Sequence, residues 1–277
     1  MNEEDKLSDS ENDMDKEERD DDYGEESEST EEAVVPKHKR KWRPGEKEKA
    51  KEKEAKDITK SNLKYENKEL IDKADDIAIA FLKESGKSKH RDHFFPAMIE
   101  KLGFKVGAEI GVDKGEFATH ILSKTKIEKY YCIDSWQDNF GSDCKPGFYD
   151  KDGNKRYDEA CKNLNEFKDR IAMLRMKSVE AANTIPDNSL DFLYIDGDHS
   201  LEGIFFDLYT WCLKVKIGGM VSGHDYKDGP RSGITDYFGK QLDYKVKTAV
   251  DYYCQRYGYK LNVIGGRILS WWFVRNR

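Results

Sequence analysis

Two groups of acidic and imidazole side chains follow short apolar runs in this sequence. Asp196 and His199 come directly after the run 190–195, and His224 and Asp225 come shortly after the run 220–222. The chain has six histidines, and two of them fall in these groups. An imidazole titrates near neutral pH and can take a proton from a substrate hydroxyl. His199 and His224 are therefore candidate general bases, and hydrogen bonding between the loops is the alternative role for both.

A second set of candidates surrounds an earlier turn. Glu109 lies near the end of the run 106–110, Gly111 and Gly115 follow that run, and Asp134 follows the run 130–133, twenty-three residues after Gly111. Glycine allows a sharp turn and close approach of the backbone to a ligand. The dinucleotide fingerprint G-x-G-x-x-G is absent, and an acid before the turn suits a cofactor with a cationic amine and sulfonium better than a pyrophosphate. An ordinary strand–turn–helix is the alternative.

Asp134 is placed to accept hydrogen bonds from both hydroxyls of a ribose, because acids at this strand end do so in dinucleotide-binding folds. Trp136, two residues later, could cover an adenine ring or close the loop.

The elements that must position these residues alternate along the chain. Apolar runs predict strands at 106–110, 130–133, 172–176, 190–195, 220–222, 261–264 and 268–274. Helical patterns predict helices before and between them, at 70–82 and 94–102, from the glycine-bearing turn after the first strand to about 123, and at 157–167, 201–215 and 247–257. We therefore predict an α/β fold with a mostly parallel, seven-stranded sheet, helices on both faces, and an antiparallel C-terminal hairpin.

The acidic segment 191–200, the pair Gly218-Gly219 and the segment 223–226 together resemble class I S-adenosylmethionine-dependent methyltransferases. Within that class they are similar to the family called methyltransferase domain 24, and the resemblance covers about residues 94–272. It implies a Rossmann-like methyltransferase fold and S-adenosylmethionine as cofactor. The cofactor-binding residues that it implies are Glu109, Gly111, Gly115, Asp134, Ser178, Val179 and Asp196.

Within that set, the resemblance implies that Ser178 and Val179 lie near the adenine and that Asp196 lies beside the transferable methyl group. Many relatives carry an acid just before this serine, whereas this chain has Lys177.

The resemblance also implies a candidate metal site. In metal-dependent relatives the corresponding positions bind a divalent cation such as Mg²⁺, and here they are Asp196, His224 and Asp225. The metal would lower the pKa of a substrate hydroxyl and align it for attack. Without a metal, His199 or His224 would be the base, so Asp196, His199 and His224 are the catalytic candidates.

Charge divides the chain into parts. Residues 1–33 carry a net charge of −14, residues 34–60 carry +6, and the remaining 217 residues carry +1. We expect a disordered charged tail at 1–60, acidic over 1–33 and basic over 34–60, then N-terminal helices at 61–103 and the cofactor-binding domain at 104–277. The basic run at 37–43 could contact a polyanion, act as a nuclear address or continue as a solvated charged helix.

The sequence also limits the acceptor and the compartment. No N-P-P-Y-like, D-P-P-Y-like or Pro-Cys segment occurs, and the last strand lacks the acid of a ribose 2′-O-methyltransferase. We therefore predict O-methylation of a small-molecule or sugar hydroxyl, with the loops 137–155 and 227–239 covering the substrate. The alternatives are a nucleic-acid methyltransferase guided by the basic segment and a degenerate, methyltransferase-like interaction module.

Five cysteines without a C-x-x-C pair and the lack of a long apolar run favour a cytoplasmic protein, or a nuclear one in a eukaryotic host. We expect no membrane partner, and a homodimer remains an open hypothesis.

Overall fold

A computed structural model of the chain describes residues 46–84, 90–137, 153–235, 240–265 and 268–277. The acidic segment 1–33, the basic run 37–43 and most of the loop 137–155 lie outside the described residues, so our predictions for them remain predictions. By its internal contacts the chain divides into residues 1–51 and 52–277.

The first helix, α1, spans Glu46–Glu84 and so begins fifteen residues before the boundary at 61 that charge patterning predicted. Residues 46–56 are all Glu, Lys or Ala. These three residue types have high helix propensity, which explains a helix in a segment whose charge alone suggested disorder. A charged helix was one of the alternatives that the sequence left open for this segment.

Seven strands form the main sheet, in the order β3-β2-β1-β4-β5-β9-β8. Their bounds are β1 Val106–Ile110, β2 Lys129–Asp134, β3 Ile171–Arg175, β4 Leu190–Ile195, β5 Val215–Gly223, β8 Asn262–Gly265 and β9 Leu269–Val274. The first five strands pair in parallel, and β9 pairs antiparallel with both β5 and β8. The predicted mostly parallel sheet with an antiparallel C-terminal hairpin is therefore confirmed.

Helices cover both faces of this sheet. They are α2 Arg91–Leu102, α3 Glu116–Lys124, α4 Gly153–Leu164, α5 Ser178–Ala182, α6 Leu201–Trp211 and α7 Val246–Tyr257, with 3₁₀ turns at Asn165–Phe167 and Cys212–Lys214. Alternate residues of β4 enter opposite cores, Phe192 and Tyr194 on one face and Leu193 and Ile195 on the other. A strand buried on both faces needs such a continuous apolar run, and this holds the carboxyl ends of the strands in fixed positions.

Two features differ from the sequence prediction. Helix α6 ends at Trp211 instead of 215, and β5 begins at Val215 instead of 220. The pairing of β5 with β4 shifts register between Val215 and Met220, where Gly218 has φ +84°. In addition, β6 Asp228–Thr235 and β7 Gln241–Lys245 form an antiparallel hairpin in the segment that we expected to be a loop.

No helix within the described ranges combines the length and the apolar character of a membrane span.

Candidate functional site

Three carboxylates lie at the carboxyl ends of β1, β2 and β4: Glu109 pairs in register with Cys132 and Tyr194, two residues before Asp134 and Asp196. Glu109 is buried, and its Oε2 accepts a hydrogen bond from the hydroxyl of Tyr130 at 3.2 Å. Burial raises the pKa of Glu109 well above its usual range, and the charges of Asp196 and Asp134 raise it further. Because β1 lies between β2 and β4, the three carboxylates lie at the same edge of the sheet, where ligands of open α/β sheets bind.

The turn after β1 lies against the end of β4. Gly111 has φ +85°, and a Cβ at this position would lie 2.2 Å from the carbonyl oxygen of Asp196. The amide of Asp196 donates to the carbonyl of Ile110 at 2.8 Å. Gly115, with φ +79°, precedes α3 and completes the turn. Only glycine permits this approach, so the turn predicted from the glycine spacing is present and its first glycine is structurally required.

Asp134 ends β2 with part of its hydrogen-bonding capacity in use. Its Oδ2 accepts from the amide of Asp113 at 2.9 Å, and its Oδ1 accepts from the amide of Trp136 at 2.8 Å. Burial raises the pKa of this carboxyl, and the backbone donors counteract that rise. A carboxylate has about four acceptor positions, so Asp134 can accept a further donor beside the backbone amides of Asp113, Trp136 and Val112. A ribose hydroxyl is a donor that suits this position.

Trp136 closes the loop after β2. Its indole N–H donates to the carbonyl of Asp113 at 2.7 Å, and its ring meets Tyr157 edge to face at 5.0 Å. Gly153, where α4 begins, packs so closely that a Cβ there would lie 2.0 Å from the carbonyl oxygen of Trp136. Of the two roles that the sequence allowed for this side chain, these contacts correspond to loop closure.

The two acid–imidazole groups meet in one cluster beyond β4 and β5. His199 Nε2 lies 3.1 Å from Asp225 Oδ2 and 3.3 Å from Asp196 Oδ1. His224 Nδ1 lies 3.5 Å from Asp196 Oδ2 and 3.6 Å from Asp225 Oδ2. The register pairs Ile195 with Gly223, which brings the two loops together. The four side chains that follow the two apolar runs therefore lie in one cluster.

The charges in this cluster are strongly coupled. Burial would lower the pKa of His199, but the carboxylates of Asp196 and Asp225 outweigh it and raise that pKa to about 9. Burial would likewise raise the pKa of both aspartates, and the two imidazoles instead hold it well below the usual range. In the absence of another cation, His199 is therefore protonated at neutral pH and is an acid before it can be a base.

The donor atoms of Asp196, His199 and Asp225 all lie within 4.8 Å of one another. Both ring nitrogens of His199 are buried, and within the described residues neither makes a hydrogen bond of good direction. Two carboxylates and an imidazole nitrogen are ligands that divalent cations accept. The cluster thus fits a cation. The resemblance had implied His224 as the imidazole ligand, but His199 is better placed to be that ligand.

Arg91 and Tyr194 complete the cluster, and sequence reasoning missed both. The guanidinium of Arg91, from the first turn of α2, donates to the Tyr194 hydroxyl at 2.9 Å and to Asp196 Oδ2 at 3.2 Å. It also lies 4.8 Å from the centre of the Phe117 ring. No sequence pattern could reveal these contacts, because more than one hundred residues separate Arg91 from Asp196.

The β6–β7 hairpin borders the same cluster. The Tyr244 ring meets His199 edge to face at 5.2 Å, and Lys227 Nζ lies 3.9 Å from the ring centre and 3.2 Å from Asp225 Oδ1. The backbone amide of Lys245 donates to the carbonyl of His199 at 3.0 Å. A hairpin attached in this way can cover a substrate, which is the role that we predicted for the segment 227–239.

Ser178 and Val179 begin α5 after β3. The Ser178 hydroxyl donates to Oδ1 of Asp207, a buried residue of α6, and Val179 is 47% exposed. The backbone of Met176 donates to the carbonyl of Asp134 at 3.1 Å, so this segment lies beside the end of β2. The contact with Asp207 was not predicted.

Comparison with protein families gives one match to this region. Residues 108–226 match the model of a family described as a methyltransferase domain. Every site residue proposed from the sequence, from Glu109 to Asp225, lies within these bounds. An uncharacterized protein, y4gI, of Sinorhizobium fredii (strain NBRC 101917 / NGR234) is 25% identical over 121 residues, which cover 44% of this chain and 12% of that protein.

Solved structures with similar coordinates were also found. Cofactor-bound Rv0187 from MTB has a TM-score of 0.47 at 14% identity, over 72% of this chain and 90% of that chain. TrmK of M. capricolum, in complex with S-adenosyl-homocysteine, has a TM-score of 0.41 at 13% identity, over 62% of each chain. A 1,6-didemethyltoxoflavin-N1-methyltransferase of Burkholderia thailandensis, with bound S-adenosylhomocysteine, has a TM-score of 0.45 at 9% identity, over 72% and 85%.

Proposed function

We propose that this chain transfers a methyl group from S-adenosylmethionine to a hydroxyl of a small molecule or sugar. The match of residues 108–226 to the model of a methyltransferase domain supports this proposal. The observation that carries the proposal is the convergence of Glu109, Asp134 and Asp196 at the ends of three adjacent strands. Acids in this arrangement can hold a ribose and a cationic group together, and ligands of open α/β sheets bind at this edge.

The residues of the first two strand ends would hold the cofactor. S-adenosylmethionine, when bound, supplies a methyl group on a positively charged sulfur. The carboxylate of Asp134 can accept hydrogen bonds from the ribose hydroxyls. Glu109, beside the turn at Gly111, can face the cationic methionine end, and a cation there would lower the pKa that burial raises.

The residues after β4 and β5 would hold and deprotonate the acceptor. Methyl transfer from a sulfonium needs mainly positioning and loss of a proton from the nucleophile. A divalent cation at this cluster would supply charge that lowers the pKa of an acceptor hydroxyl. Asp196, His199 and Asp225 are the ligands that the distances favour, with His224 next to them. With no cation, His199 or His224 would accept the proton after losing its own.

The charge distribution supports a small acceptor over a polyanion. Residues 61–277 carry a net charge of +1, which lacks the basic excess of a nucleic-acid-binding domain. Within the cluster, Arg91 and Lys227 are each close to an aspartate, Asp196 or Asp225, so their charges are largely balanced.

Replacing Asp134 with alanine is expected to weaken S-adenosylhomocysteine binding about 100-fold, because two hydrogen bonds to a charged group are lost. Isothermal titration calorimetry of the full chain measures this loss. Asp187→Ala removes an exposed carboxylate paired with Lys214 and is expected to leave binding unchanged. If the wild-type protein binds no S-adenosylhomocysteine, the methyltransferase proposal fails, and the interaction module remains.

Mn²⁺ titrated calorimetrically into the protein is expected to bind at the cluster and to be displaced by a chelator. His199→Ala should weaken this binding at least tenfold, and His224→Ala should weaken it less, because His199 lies closer to both carboxylates. If His224→Ala weakens Mn²⁺ binding more than His199→Ala does, the ligands are Asp196, His224 and Asp225, as the resemblance implied. Chelator-insensitive methyl transfer that is lost in His199→Ala would instead identify a histidine base.

A further inference from the structure

Asp207 is a buried acid of α6 to which the proposed reaction assigns no role. Its side chain is 4% exposed, and within the described residues its hydrogen-bond donor is the Ser178 hydroxyl. Burial raises the pKa of Asp207 to about 7; the hydrogen bond from Ser178 opposes that rise, and the nearby charge of Asp198 adds to it. A buried carboxylate with so little compensation opposes folding when it is ionised. Such a residue is more readily understood through its effect on a site than through stability.

Asp207 lies beneath two turns that border the crevice. Through Ser178 it contacts the turn after β3, which is fixed to the end of β2 by the bond from Met176 to the carbonyl of Asp134. Its Oδ2 lies 3.6 Å from the position of a Cβ on Gly197, in the turn after β4. The acid therefore lies next to the turns that follow β3 and β4.

The contact with Asp207 determines the polarity of Ser178. A serine hydroxyl has one proton and two lone pairs, and an ionised carboxylate can only accept. Ser178 must therefore donate its proton to Asp207 and offers only lone pairs to other groups. The side chain of Ser178 is partly exposed, so those lone pairs are available to a ligand.

We propose that Asp207 is a positioning residue that holds Ser178 as a hydrogen-bond acceptor and thereby makes the cofactor site prefer a 6-aminopurine to a 6-oxopurine. This inference rests on the proposed function: with the methionine end at β1 and the ribose at the end of β2, the purine extends towards β3, whose following turn carries Ser178. An amino group donates to the serine lone pairs, whereas an oxo group presents only lone pairs and is left unpaired. The residue before Ser178 is Lys177, a donor, so the acid that sets this preference comes from a different element of the fold.

The test compares S-adenosylhomocysteine with S-inosylhomocysteine, in which a 6-oxo group replaces the 6-amino group and N1 of the purine carries a proton. Dissociation constants are measured by calorimetry on the full chain at pH 8.0, where Asp207 is mostly ionised. The wild-type protein is expected to prefer the adenosyl ligand by about tenfold to thirtyfold, the effect of one unpaired buried polar group. Asp207→Asn, whose amide can donate to Ser178, should reduce the preference to about threefold or less, and Ser178→Ala should do the same.

Asp191→Asn is the matched control. Asp191 accepts hydrogen bonds from the amides of Lys105 and Val106 at the opposite end of β4. Asp191→Asn therefore replaces a carboxylate with an amide, as Asp207→Asn does, but away from the crevice. Its preference should equal that of the wild-type protein. In the wild-type protein, lowering the pH from 8.0 to 6.0 should also reduce the preference for the adenosyl ligand, because protonated Asp207 can donate to Ser178. Asp198, in the turn after β4, is the charged group that faces Asp207.

The outcomes separate this inference from the proposed function. If the wild-type protein binds S-adenosylhomocysteine and both Asp207→Asn and Ser178→Ala keep its full preference, the inference is wrong and the methyltransferase proposal stands. If Asp207→Asn does not fold, Ser178→Ala and the pH dependence of the wild type still decide. If the wild type binds neither ligand, both ideas fail together.

Discussion

Replacing Asp196 with asparagine is expected to lower methyl transfer by about 100-fold to 10,000-fold, the range for loss of a group that directs proton transfer. Asp196 lies within 3.5 Å of Arg91, His199 and His224, and its charge is one of the two that hold His199 in place. Asparagine keeps the size of the side chain and removes that charge. The measurement is transfer of a labelled methyl group to the acceptor that a screen of cell extracts identifies.

The affinity for S-adenosylhomocysteine separates a catalytic effect from a folding defect in this variant. We expect Asp196→Asn to bind this ligand within about tenfold of the wild type, because Asp134 and the turn at Gly111 are unchanged. Asp191→Asn, at the start of the same strand, should retain full transfer. Methyl transfer by Asp196→Asn above one third of the wild-type rate would remove Asp196 from the proposed mechanism.

Replacing Gly111 with alanine is expected to destabilise the protein by about 3 kcal/mol or more and to abolish cofactor binding. The new methyl group would lie 2.2 Å from the carbonyl oxygen of Asp196, and φ at this residue is +85°. The strained backbone conformation alone costs about 1–3 kcal/mol, and displacement of β4 adds to it. Urea denaturation measures the stability, and calorimetry with S-adenosylhomocysteine measures the binding.

Gly103→Ala provides the matched control for backbone strain. Gly103 ends α2 with φ +70°, and a Cβ there would meet no atom within 4 Å. This variant should lose only about 1 kcal/mol and should bind the cofactor normally. Equal losses in the two variants would mean that the close approach between the turn after β1 and the end of β4 has no special importance.

The sheet and the turn after β1 could be predicted because short local sequence patterns encode them. Each parallel strand is buried on both faces and therefore appears as an apolar run, and the glycines at 111 and 115 mark the turn. The β6–β7 hairpin was missed because β6 lacks such a local pattern: it contains Gly229, Pro230 and Gly233 and has no alternation of apolar and polar residues.

The details of the site depend on contacts between distant residues. Asp207 and Ser178 are 29 residues apart, and Arg91 and Asp196 are 105 apart. Their pairing follows from sheet order and helix packing, which no local pattern encodes. Likewise, spacing could not determine whether His199 or His224 approaches the two aspartates more closely, because both follow adjacent strand ends.

The contact between Gly153 and Trp136 bears on how this protein could change its acceptor. The chain leaves the sheet at Trp136 and returns at Gly153 to the same point, with sixteen residues between them. An insertion, deletion or graft between these anchors would leave the distance between them unchanged. We predicted from the sequence that this stretch covers the substrate. Natural variation or laboratory evolution that replaces it would then change the acceptor and leave the residues proposed to bind the methyl donor in place.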